Sequence, residues 1–129
     1  MIRVYVKKQS GYPVGTPKLK KSLQAFFEKK GIVSDADVSV TFVGSDKMKK
    51  IAQKYLGENN VVHNVLSFPF IESGKSFVEP PDSIIHLGDI IICYTKVVEE
   101  ANKEGALIDD KIKELAEHGA AHLLGEHHD

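Results

Sequence analysis

Apolar and polar residues alternate through the opening "MIRVYVKK", placing Ile2, Val4 and Val6 on one face, and this period of two predicts a strand. After the turn-forming "SGYPVGTP", Thr16 and Pro17 read as the cap and first residue of a helix whose apolar stripe is Leu19, Leu23, Phe26 and Phe27, up to Gly31. "DVSVTFVG" returns to period two, with Val38, Val40 and Phe42 sharing a face. Ser45 reads as the cap of a second helix with Met48, Ile51, Ala52 and Tyr55 inward and Gly57 as its stop. "NVLSFPF" is expected to be a short strand at a sheet edge or near its own end, because Pro69 cannot donate to a ladder. Residues 71–83 read as a loop, and "IIHLGDIIIC" as an apolar strand bent at Gly88, with Ile90 to Ile92 buried on both faces. Thr95 is the expected cap of a helix carrying Val97, Val98 and Ala101 that "KEGAL" ends. Ile108, Ile112, Leu115, Ala116 and Gly119 then trace the inner stripe of a last helix, which should stop at Gly125.

The resulting order, βαβαββαα, runs without linker, repeat or low-complexity tract. With 129 residues and 42% hydrophobic content it predicts one α+β domain over residues 1–129, a small mixed β-sheet with packed helices. The pattern leaves the strand order open.

A net charge of −1 excludes a strongly basic protein, so any contact with nucleic acid needs a local patch. Arg3 is the only arginine, so lysine point charges would have to meet phosphates. Lys47, Lys49 and Lys50, with Lys20 and Lys21, could supply such a surface, though solvated helix faces explain them equally well. Cys93 is the only cysteine; it sits in a strand-like run, which rules out an intramolecular disulfide and points to a reducing compartment. The opening lacks the apolar core of a signal peptide, and no apolar run reaches a membrane span. The expectation is a cytoplasmic protein with no membrane partner.

The chemistry concentrates at the end of the chain, "EHGAAHLLGEHHD", which holds four of the six histidines. His118 and His122, four apart on a helix, stand one turn apart on one face and can reach one ion. At about 1.5 Å rise per residue a continuing helix would carry His128 roughly 9 Å beyond His122, so the helix must end first. Gly125 can take the left-handed conformation that ends it and turns His128 back. The pattern H-x-x-x-H-x-x-G-x-x-H matches the metzincin spacing on a last helix and following turn, and three imidazoles leave a zinc ion an open position. Partners at both +4 and +10 of some histidine arise by chance in roughly one or two sequences in a hundred of this histidine content, so a solvated tail is the weaker explanation. The glutamate of zinc proteases is replaced by Gly119, and a glycine inside a helix suggests close backbone approach. Asp89 reads either as a carboxylate orienting a ligand histidine or as a bend residue after Gly88. His63 and His86 read as packed or surface histidines, and Ser67 lacks the elbow of a nucleophile.

"HGAAHLLGEHH", "VLSFPF" and "LGDIIIC" occur in that order, and with them the chain resembles the YbeY family of metal-dependent endoribonucleases, the rRNA maturation factors. The resemblance covers about the C-terminal two thirds. It implies one zinc ion per chain held by His118, His122 and His128, and substrate contacts at Ser67, Gly88 and Asp89. It also implies action on ribosomal RNA in small-subunit maturation, with rRNA and the small ribosomal subunit as partners and no DNA. The catalytic base stays unassigned, with Glu117, Glu126 and Asp129 nearby in sequence. In "YLGENNVVHN" the arginine usual in the family is absent, and His63 and Asn64 stand where Thr and Asp are typical. A non-catalytic, zinc-stabilised assembly factor is the alternative; a metalloprotease is opposed by Gly119.

Overall fold

The alternating positions are the ones the fold buries. The structure, a computed structural model, describes residues 1–9, 11–70 and 84–126. In β1 (Ile2–Lys7) Ile2 and Val4 are buried, and in β2 (Ala36–Val43) Ala36, Val38, Val40 and Phe42 are. The helices α1 (Thr16–Lys29) and α2 (Ser45–Leu56) separate and follow these strands, and the edge strand β3 (Val65–Pro69) precedes β4 (Ile85–Cys93). Helices α3 (Tyr94–Glu104) and α4 (Ile108–Leu123) complete the order βαβαββαα. The expected loop at 71–83 lies outside the described residues.

The four strands form one sheet in the order β1-β2-β4-β3, with β1, β2 and β4 parallel and β3 antiparallel to β4. The fold is therefore α+β with a mixed sheet, as the sequence predicts. Parallel neighbours need a crossover, and the connection through α1 supplies one for β1 and β2. One face of the sheet packs against α1, α3 and α4 through Leu19, Leu23, Phe27, Val97, Ile112, Leu115 and Ala120. Among the described residues the other face carries a small cluster, Val43, Met48 and Cys93 with Ile51, Val62, Leu66 and Ile91, beneath α2. Ile91 is therefore half-exposed, while Ile90 and Ile92 on the inner face are fully buried. Burial of the whole Ile90–Ile92 run on both faces is corrected accordingly: helix covers only part of the outer face.

Two cap assignments move by one residue, Thr16 to Gly15 and Ser45 to Gly44, and a third moves by two, Thr95 to Cys93. Thr16, Ser45 and Tyr94 are the first helical residues, behind Gly15, Gly44 and Cys93, and none of these caps uses a side chain. The backbone N–H of Gly15 instead donates to Asp109 on α4, 3.2 Å away, so a residue distant in sequence does the work of a local cap. At Thr95 the prediction fails because β4 runs directly into α3. No described helix is long and apolar enough to cross a membrane.

The strand bends where expected. Leu87 is skipped in the β2–β4 register, a bulge, and Gly88 beside it has φ 136°. A Cβ there would lie 2.3 Å from the carbonyl oxygen of Phe68 and 2.9 Å from Leu123, so only glycine lets β3, β4 and α4 close on one another.

Candidate metal centre

Helix α4 lies on the inner face of β3 and β4 and comes close to both strands at Gly119. A Cβ at that position would meet Ile90 at 2.8 Å, Ser67 Oγ at 3.0 Å and Val65 at 3.2 Å. The Ser67 hydroxyl donates to the carbonyl oxygen of Gly119 over 2.8 Å, tying the edge strand to the middle of the helix. The backbone approach expected from a glycine at this position is thus present, and it explains the missing glutamate: the position faces the sheet, where a carboxylate would be buried in apolar packing.

With Gly119 inward, His118 and His122 emerge together on a flank of α4, the first exposed and the second half-buried. Their Nε2 atoms are 3.1 Å apart and their ring centroids 4.6 Å apart. Two imidazole nitrogens bound to one tetrahedral zinc ion at 2.0–2.1 Å sit about 3.3 Å apart, so the pair already has the spacing of two ligands on one ion. The helix then ends as expected. Gly125 adopts φ 82°, its N–H donates to the His122 carbonyl at 3.0 Å, and Glu126 N–H donates to the Ala121 carbonyl at 3.0 Å. This paired closure ends the helix at Gly125. His128 itself, with His127 and Asp129, lies outside the described residues.

The remaining candidates fall in different places. Glu126 Oε1 is 3.0 Å from Lys30 Nζ, so this carboxylate fastens the turn to the end of α1. Asp89 pairs across the ladder with Phe68, while its neighbour Ile90 touches Gly119; alternation therefore points Asp89 to the outer face, away from α4. There its carboxylate accepts the Ser39 hydroxyl, and a role in orienting a ligand histidine is not what the fold provides. His86 joins Asp37 on the same outer face, Nδ1 to Oδ1 2.9 Å, and His63 meets Glu58 at 2.6 Å. Arg3, on the opposite edge strand, is about 14 Å from β3 by strand spacing. Lys20 and Lys21 on α1 lie across the sheet from Lys47 and Lys50 on α2, so the two lysine groups do not form one surface.

The comparisons with known proteins agree with one another. The family model described as Endoribonuclease YbeY matches residues 7–129. A Thermus thermophilus protein named Endoribonuclease YbeY is 37% identical over 112 residues, covering 87% of this chain and 76% of its own length. A Dehalococcoides mccartyi protein of the same name is 31% identical over an alignment covering 99% of this chain and 78% of the relative. Among solved structures, the solution structure of TM1509 from Thermotoga maritima superposes with a TM-score of 0.61 at 26% identity, covering 100% of this chain and 75% of that one.

Proposed function

The chain belongs to the Endoribonuclease YbeY family, and from that premise we propose that it is an endoribonuclease acting in rRNA maturation, with one zinc ion held by His118, His122 and His128. The observation that carries the metal assignment is the 3.1 Å separation of the two Nε2 atoms, just before the helix ends at Gly125. When bound, such an ion supplies Lewis acidity and an activated water.

The chain's own contribution is position. Gly119 lets α4 settle on β3, which fixes where the helix carrying both imidazoles sits along the edge strand. The hydrogen bond from Ser67 locks that register, and a substrate would meet only the lone pairs left on its oxygen. Two of the three carboxylates adjacent in sequence fall within the described residues: Glu126 is engaged by Lys30, and Glu117 is half-buried next to His118. Neither stands in the position of the protease glutamate, which is closed by packing; this favours phosphodiester over peptide chemistry.

The test is metal content by mass spectrometry on the wild-type protein and on His122→Ala, with cleavage of a structured rRNA fragment measured on the same samples. Near-stoichiometric zinc and cleavage in the wild type, both lost in the variant, is the expected result. Zinc without cleavage would replace the ribonuclease with the zinc-stabilised assembly factor, and a wild type without zinc would remove the metal centre.

A further inference from the structure

Helix α2 carries lysines at 47, 50 and 54, spaced so that they share one face. That face is exposed. It rims an open cleft of about 720 Å³ between α2 and the outer face of the sheet. Val43, Ile51 and Ile91 make an apolar lining, and Phe68 and Tyr55 contribute two rings, their centroids 5.3 Å apart at 55°. Tyr55 lies on the helical stripe expected to be core, yet it is 59% exposed. Lys54 Nζ stands 5.2 Å from the centre of its ring. Among the described residues, no carboxylate forms an ion pair with any of the three lysines. Asp89, with its carboxylate turned to Ser39, is the acidic residue of the lining and bounds the cleft on its β2 side.

An exposed ring, Tyr55, and a half-buried one, Phe68, beneath a row of lysines with no ion pair among the described residues match one ligand chemistry closely: π-faces for a base and positive charge for the phosphates on either side. An acidic peptide would satisfy the lysines and leave the rings without a partner. A duplex would keep its bases stacked away from Tyr55. The cleft is also within the volume range of sites that enclose one small ligand, about 300–1,000 Å³. Its position is the second argument. β3 is an edge strand whose side chains alternate, Phe68 into this cleft and Ser67 onto Gly119 of α4, the helix that carries the histidine pair. One strand of nucleic acid crossing that edge would touch both sites.

We infer that this cleft is a binding site for single-stranded RNA, seating a base against Tyr55 and Phe68 while Lys47, Lys50 and Lys54 take the adjacent phosphates. The choice of RNA as the polymer rests on the ribonuclease reading; the cleft itself does not. The site holds substrate beside the metal centre and takes no part in bond cleavage.

The test uses the full chain in the His122→Ala background, so that the probe survives, and measures fluorescence anisotropy with a single-stranded oligoribonucleotide over a salt series. Replacing all three lysines by glutamine keeps helix propensity. It is expected to make the slope of log affinity against log salt shallower by roughly 2, at about 0.7 per lost phosphate contact. Tyr55→Ala should weaken binding roughly 5- to 150-fold with the slope unchanged, the signature of a lost stacking contact. Circular dichroism on both variants confirms that they fold. Unchanged slope in the lysine variant, or unchanged affinity in Tyr55→Ala together with equal displacement of the RNA by polyglutamate, would overturn the site. Cleavage by the chain with native His122 separates the two proposals. If it cuts RNA while the cleft variants bind normally, the cleft fails alone; if it never cuts but the variants bind as expected, the ribonuclease reading fails alone.

Discussion

Replacing Gly119 by alanine sets two effects of opposite sign against each other. In an exposed helix interior the change would stabilise by about 1 kcal/mol, because alanine loses less backbone entropy than glycine. Here the new methyl would sit 2.8 Å from Ile90, 3.0 Å from Ser67 Oγ and 3.2 Å from Val65. Relieving that contact requires α4 to lift off β3 or Ile90 to leave its rotamer, at about 1–3 kcal/mol for an overpacked core. Lifting the helix also stretches the 2.8 Å bond from Ser67 to the Gly119 carbonyl, worth about 0.5–1.5 kcal/mol. Subtracting the propensity gain leaves a net destabilisation of about 0.5–3.5 kcal/mol, centred near 2. For a domain of this size 2 kcal/mol corresponds to a fall in Tm of about 7 °C. Urea unfolding followed by circular dichroism, with the two-state slope compared between variants, measures it directly. A Gly119→Ala variant that gains stability by the propensity amount would show that α4 does not rest on β3 at this point. The account of the missing glutamate would fall with it.

Gly88→Ala should lose about 2–6 kcal/mol or fail to fold, because strain at φ 136° adds to a backbone clash with Phe68; soluble yield and Tm report it. Lys111 is 5% exposed and reaches Glu104 at 2.8 Å and Glu114 at 2.6 Å. The hydrogen bonds to Glu104 and then Glu114 hold its ammonium well above the ordinary lysine range. A raised pKa contributes stability that is complete below the unfolded value, about 10.4, and is lost only as pH rises beyond it. The ion-pair network should therefore be insensitive to pH across the neutral range, and Lys111→Met should cost about 1–2 kcal/mol at pH 7, read by urea unfolding. Its cost should shrink in strongly alkaline buffer, and a cost that grows there would contradict the assignment. Cys93 is buried against α2, so an aromatic disulfide reagent should modify it only as the chain opens. Labelling of the native protein at the rate of a free thiol would place α2 elsewhere.

Several features of the site were legible before any tertiary structure. The 118/122 spacing, the turn at Gly125 and the close approach implied by Gly119 each depend on a few neighbouring residues and on the fixed geometry of a helix. The bend at Gly88 and the terminating Pro69 were legible for the same reason. Asp89 was not. Whether it faces the histidines or the opposite side depends on the bulge at Leu87 and on which face α4 covers, and both are settled by strand pairing. Tyr55 was misread because helical periodicity shows that a stripe exists, without showing how far the neighbouring sheet extends beneath it. The lysines of α1 and α2 looked alike in sequence and were separated only when the two helices took opposite faces.

By itself the sequence determined the eight elements, their order, the histidine pair and the turn that follows it, because periodicity and backbone conformational freedom are local properties of the chain. The tertiary structure alone decided the strand order β1-β2-β4-β3, the packing of α4 against an edge strand and the meeting of Lys47, Lys50, Lys54, Tyr55 and Phe68 around one cleft. Those outcomes come from pairing between segments tens of residues apart, where many registers satisfy the same alternation and only simultaneous burial of the inner faces selects one.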